Sequence, residues 1–85
     1  MQPVTFYTTS VCPYCAAAKD LLRQKGVNYD EISVDGDREG RAAMTQRAGG
    51  RTSVPQIFIG ATHVGGCDDL YELESEGRLD GLLAG

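Results

Sequence analysis

Apolar positions change their period several times along the chain, and each change marks a new element. Val4-Thr5-Phe6-Tyr7-Thr8 is β-branched and aromatic, so a first strand is expected over Pro3 to Thr8. From Ala17 the spacing becomes helical. Ala17, Ala18, Leu21 and Leu22 share one stripe, while Lys19, Asp20, Arg23 and Gln24 face solvent. The helix should reach about Lys25, where Gly26 can take the left-handed conformation that stops it. Val27 to Val34 reads as a second strand with Tyr29, Ile32 and Val34 as packing positions. Strand, helix and strand in succession require a right-handed crossover, which makes the two strands parallel.

Asp35-Gly36-Asp37 is a turn, and Asp37 is a suitable N-cap for a second helix to about Ala48. Its apolar face is thin (Ala43, Met44, Ala48), and Gly49-Gly50 ends it. Gln56-Ile57-Phe58-Ile59 is nearly continuous in its apolar character, as in a strand covered on both faces. Gly60-Ala61 turns it back into Thr62-His63-Val64, a β-hairpin. Gly65-Gly66 then opens a third helix from about Cys67 to Glu76, with Leu70, Tyr71 and Leu73 inward. Asp68, Asp69 and Glu72 place anions near the start of that helix, where the dipole favours them. A last helical piece runs from Leu79 to Leu83. The order βαβαββα belongs to the α/β class: a thioredoxin-like fold, with a four-stranded mixed sheet and helices on both faces. Residues 1–85 are expected to form one domain, acting as a monomer.

Charge and composition narrow the function. Twelve acidic against eight basic residues, a net charge of −4, argue against nucleic acid as the main partner. No apolar run approaches the ~20 residues of a membrane span, and the first residues lack a basic segment followed by an apolar one. Three cysteines are too few for a disulfide framework, so the reducing cytoplasm is the expected compartment.

The chemistry centres on Cys12-Pro13-Tyr14-Cys15, between the first strand and the first helix. Cysteines three apart at a helix start lie on one side of its first turn, close enough to form a disulfide. With Cys12 at the N-cap and Pro13 at the first helical position, the sulfur of Cys12 faces unpaired amides and the positive end of the dipole. Both favour thiolate, so its pKa should fall below the free value of about 8.5. Such a thiolate can attack a disulfide, and the second thiol can then resolve the mixed product. A zinc site would need four ligands; Cys67 and His63 are the other candidates and lack the paired spacing. A purely structural disulfide over so short a loop would gain little chain entropy. Redox chemistry is the reading adopted.

Two further stretches accompany it. In Thr52-Ser53-Val54-Pro55 the proline precedes an apolar strand, and a cis Val54–Pro55 bond would leave the Val54 N–H and C=O free to pair with an extended peptide. Gly65-Gly66-Cys67-Asp68-Asp69 offers amides to an anion and carboxylates to an ammonium, which suits an amino-acid-like head group. Cys67 reads either as a third redox thiol or as a small buried side chain. Arg38, Arg41, Arg47 and Arg51 read as a solvated face; the other reading has one or two of them clamp a carboxylate of an anionic ligand. His63 is taken as a surface residue of an edge strand.

Together these three motifs, in this order and across essentially the whole chain, resemble the dithiol glutaredoxins of the short bacterial type. The resemblance implies reduction of protein disulfides and of glutathione mixed disulfides, with glutathione as electron donor and no metal. Carried over, Cys12 is the nucleophile and Cys15 the resolving thiol. Tyr14, Val54, Pro55, Gly66, Cys67, Asp68 and Asp69 hold glutathione, and disulfide-containing or glutathionylated proteins are the other partners. An iron–sulfur carrier and a redoxin served by thioredoxin reductase are the rival readings. One position departs from the pattern: many relatives have a lysine three residues before the nucleophile, and here it is Thr9. Arg41 or Arg51 is expected to supply the missing charge.

Overall fold

A computed structural model describes residues 2–85. The elements are β1 (Val4–Thr8), α1 (Pro13–Gln24), β2 (Asp30–Ser33), α2 (Arg38–Arg47), β3 (Gln56–Ile59), β4 (Thr62–Gly65), α3 (Cys67–Ser75) and α4 (Leu79–Ala84). The sheet order is β2-β1-β3-β4. β1 and β2 are parallel, with Tyr7 beside Ile32, whereas β1–β3 and β3–β4 are antiparallel. The thioredoxin-like, four-stranded mixed sheet expected from the sequence is therefore present.

Side-chain alternation along the two central strands divides the core into two layers. Val4 and Phe6 of β1 and Ile57 and Ile59 of β3 pack against Leu21 and Leu22 of α1, Leu70 of α3 and Leu79 of α4. The opposite face, Tyr7 and Phe58, meets Val34 and the smaller contribution of α2, Met44 with Ala48. Both faces are covered, which is why β3 reads as an apolar run rather than an alternation. Lys25, the C-cap of α1, reaches Glu74 at 2.7 Å and Asp80 at 3.0 Å, joining α1 to α3 and α4.

Four expectations need correction. β2 starts at Asp30 rather than Val27, because Val27 is drawn into the core by its N–H bond to Leu22 O and Tyr29 packs there with it. Ile32 is 40 % exposed and is not a packing residue: β2 is the sheet edge, and α2 buries only Met44 and cannot reach over it. Ala43 is exposed, since the inward line of α2 runs through Met44 and Ala48, four residues apart. Tyr71 is half-exposed, its O–H donating to Ala17 O at 3.0 Å across the outer seam between α1 and α3.

Candidate active site

β1 delivers the chain to the site. At its end Thr8 is buried and accepts from Val34 N–H at 2.9 Å, and the next loop is held by Asp35, whose Oδ2 accepts from Ser10 N–H at 2.7 Å. Hydrogen bonds from Ser10 hold the Asp35 carboxyl below the ordinary aspartate range, with a smaller effect from the nearby Arg41. Cys12 follows in extended conformation as the N-cap of α1, with Pro13 at the first helical position, as the sequence predicts. The amide of Cys15 donates to Cys12 Sγ at 3.1 Å. Cys12 and Cys15 are joined as a disulfide, their Cα atoms 5.2 Å apart. Their exposures differ: Cys15 is buried, whereas Cys12 is half-buried beside exposed Tyr14 and Val11.

Opposite Cys12 lies the segment before β3. The Val54–Pro55 bond is cis. Val54 O is 3.7 Å from Cys12 Sγ, a contact that a reduced Cys12 thiol can turn into a weak hydrogen bond. Beyond it comes the turn into α3, where Gly65 has φ of +112°. A side chain there would be strained, and its Cβ would sit 2.6 Å from the Arg51 guanidinium, so the position requires glycine. Gly66 is the N-cap, and the first-turn amides of Cys67 and Asp68 have no intrahelical acceptor. A groove of about 170 Å³ runs between these segments. Tyr14, Val54, Pro55, Gly66, Cys67, Asp68 and Asp69, all singled out from the sequence, line it, together with Arg51 and Ser53. A larger hollow of about 790 Å³ lies along α2; Cys12 and Cys15 border neither space, but only the groove is walled by the Val54–Pro55 segment and the turn into α3.

Residues 4–64 match the glutaredoxin family model. The chain belongs to the glutaredoxin family. It is 58 % identical to a glutaredoxin of Pseudomonas aeruginosa over 84 residues, covering 99 % of both chains. It is 54 % identical to glutaredoxin 3 of Escherichia coli, covering 98 % of this chain and 99 % of that one. Among solved structures, a buckwheat glutaredoxin–glutathione complex superimposes with a TM-score of 0.87 at 35 % identity, covering 98 % of this chain and 77 % of that one. Glutaredoxins are glutathione-dependent disulfide oxidoreductases, and the Cys12–Cys15 disulfide is the redox-active pair of this one. Among its described residues, no helix is long and apolar enough to cross a membrane.

The acidic end of this glutaredoxin's groove is organised by Asp69. Its Oδ2 accepts from Gly66 N–H at 2.9 Å and from Arg51 Nη1 at 3.0 Å. The Gly66 hydrogen bond first, then Arg51, hold the carboxyl below the ordinary value of 3.8, against the opposing effect of burial. A carboxyl with a depressed folded pKa stabilises the fold above its unfolded pKa and loses that contribution as pH falls through the folded one. Stability should therefore decline as pH drops below about 3.8, with Asp35 contributing in the same window. Urea unfolding between pH 5 and pH 2 checks this: Asp69→Asn should show a shallower acid slope than the native protein, and equal slopes would contradict it. Cys67 behaves differently. It is buried at the first position of α3, and burial, then the charge of Asp68, push its thiol upward and keep it protonated.

Three of the four arginines are tied internally, which neither sequence reading anticipates. Arg41 donates twice to Thr52 O, at 2.8 and 3.2 Å. Arg47 lies over the Phe58 ring at 4.0 Å and donates to Tyr7 Oη at 3.4 Å. Arg51 pairs with Asp69 and is the only one of the four that lines the groove. His63 is also more than a surface residue. It is half-buried, stacks on Phe58 with ring centroids 4.8 Å apart, and places Nε2 2.7 Å from Gln56 Oε1. Burial, then the charge of Arg51, lower its pKa and favour the neutral ring.

Proposed function

We propose that the chain reduces glutathione mixed disulfides through Cys12 alone and protein disulfides through Cys12 and Cys15 together. The observation that carries this is the unequal setting of the two sulfurs. Cys12 Sγ is partly accessible, receives the Cys15 N–H at 3.1 Å and sits at the positive end of α1, all of which favour a thiolate. Cys15 is 2 % exposed and suits an internal second attack.

In the first branch the Cys12 thiolate attacks the glutathione-side sulfur of a mixed disulfide. That bond breaks, the substrate sulfur leaves as thiolate and takes a proton, and Cys12 remains joined to glutathione. The thiolate of a second glutathione then attacks that sulfur, releasing glutathione disulfide and regenerating the Cys12 thiolate. In the second branch Cys12 forms a mixed disulfide with a protein, and the Cys15 thiolate displaces the reduced protein, leaving the Cys12–Cys15 disulfide. Two glutathiones reduce it, the first joining Cys12 and the second releasing it.

Glutathione lies in the groove. Its cysteinyl unit pairs with the Val54 N–H and C=O, and Tyr14 and Pro55 flank it. The α-carboxylate of its γ-glutamyl head meets the amides of Cys67 and Asp68. Its ammonium meets the carboxylate of Asp68, because Asp69 and the Gly66 N–H are already joined to each other. The buckwheat relative solved as a glutathione complex supports this choice of ligand. Arg51 supplies the positive charge that Thr9 does not, whereas Arg41 is spent on Thr52 O outside the groove. One domain spanning residues 1–85, acting as a monomer in a reducing compartment, suffices for both branches.

The test is NADPH oxidation coupled through glutathione reductase, with the mixed disulfide of glutathione and 2-mercaptoethanol as substrate. Turnover should require glutathione, and Arg51→Ala should raise KM by about 10-fold or more, the scale of one charge-assisted hydrogen bond. Turnover with thioredoxin reductase in place of glutathione would overturn the proposal. An unchanged KM in Arg51→Ala would remove Arg51 from it.

A further inference from the structure

The backbone group offered to glutathione belongs to a segment that neither a helix nor the sheet holds. Residues 51–55 carry no regular secondary structure, and Arg51, Thr52 and Ser53 are exposed. Side chains fix their course instead. Gln56, fully buried at the start of β3, donates from Nε2 to Ser53 O at 3.0 Å and to Ser53 Oγ at 3.2 Å. Ser53 C=O and Val54 N–H belong to one peptide unit, and that unit is trans, since the cis bond is the next one along. In a planar trans peptide the C=O and N–H point in opposite directions. Anchoring the Ser53 carbonyl to Gln56 therefore turns the Val54 N–H away from Gln56, and it donates to none of the described residues.

The orientation of the Gln56 amide follows from its partners. A carbonyl can only accept, so the NH₂ group must face Ser53 O and the oxygen must face His63. His63 Nε2, 2.7 Å from that oxygen, must then carry the hydrogen. His63 is placed for this by its cross-strand partner Phe58, on which its ring stacks, while Arg47 lies over the same Phe58 ring. A line of contacts thus runs from the β4 edge strand through Gln56 to the peptide bordering the groove.

We propose that His63 is a positioning residue for glutathione: through Gln56 it sets the direction of the Val54 N–H. The inference rests on the Val54 backbone being the pairing site for glutathione. Two variants separate the hydrogen bond from the stacking. His63→Phe keeps a ring against Phe58 and removes the donor. His63→Gln gives up the ring and returns an amide N–H near the place of Nε2.

The experiment measures KM and kcat for the glutathione–2-mercaptoethanol mixed disulfide at saturating glutathione, with melting curves to follow the fold. His63→Phe should raise KM by about 3- to 10-fold, the scale of one hydrogen bond, with kcat changed less than 2-fold. His63→Gln should return KM to within about 2-fold of the native value even if it melts lower. A merely structural role would make the two variants follow their melting temperatures instead, with no recovery in His63→Gln. Equal KM in His63→Phe and the native protein, or equal impairment of both variants, would overturn the inference and leave the glutathione site standing. No glutathione-dependent turnover by the native protein would overturn both. Nitrogen-15 NMR of the unmutated protein near neutral pH gives a check independent of folding defects: it should find the hydrogen on Nε2, and a hydrogen on Nδ1 alone would overturn the inference.

Discussion

Replacing Cys12 by serine should abolish reduction of both glutathione mixed disulfides and protein disulfides, a loss on the order of 10³-fold or more. The hydroxyl that takes the place of Sγ would not ionise at neutral pH, even beside the Cys15 amide and the start of α1. Cys15→Ser should separate the two branches. The amide of residue 15 is backbone, so it still donates to Cys12 Sγ and the thiolate keeps its support. Deglutathionylation, which by the proposed route uses only Cys12 and a second glutathione, should persist within a few-fold. Reduction of a protein disulfide should fall by about 10²-fold, since the internal attack that releases the substrate is gone. Parallel initial-rate assays on a glutathionylated peptide and on a disulfide-bonded protein check the pair. Equal loss of both activities in Cys15→Ser would exclude the single-thiol branch.

The largest effect on stability should come from Phe6→Ala. Phe6 is fully buried in β1, opposite Ile57 of β3, with the Tyr29 ring 5.5 Å away and Lys19 Nζ 5.9 Å from its centroid. Truncating such a ring costs about 3–5 kcal/mol from lost burial and the remaining cavity. A domain of this size is stable by only roughly 5–10 kcal/mol, and each kcal/mol moves the midpoint by about 4–8 °C. A fall in Tm of roughly 15–30 °C is expected by circular dichroism, whereas Phe6→Leu should cost far less because most of the volume is kept. The same strand delivers the chain to Cys12, so activity should disappear along the melting curve of Phe6→Ala and not below it. A fall of less than about 5 °C would mean that the ring is not embedded between the helices and the sheet.

What was legible in the sequence was mostly local chemistry. The bounds of β3, the Cys12 cap with Pro13 behind it and the glycine turn into α3 all follow from the backbone habits of a few neighbouring residues, whereas the proline before β3 allowed a cis Val54–Pro55 bond without requiring it. Those habits also place the groove, since each of its walls carries one such motif. Contacts decided by the assembled layers were not legible. Nothing near Ile32 says that α2 will be too slight to cover the sheet edge, and nothing near Tyr71 turns its ring outward. Asp35 meets Ser10 across 25 residues and Arg51 meets Asp69 across 18, pairings that no spacing rule encodes. One signal was present but unused. Gln56 is polar in a strand read as covered on both faces, so its amide needs buried partners. Asking which residues could satisfy it leads to Ser53 and, across the hairpin, to His63.

Mass spectrometry of the Cys15→Ser protein after brief exposure to glutathione disulfide tests the central claim most directly. The account predicts a single glutathione bound through a disulfide to Cys12, released by added glutathione, with Cys67 unmodified. Glutathione on Cys67 in place of Cys12, or no adduct on a folded protein, would contradict it.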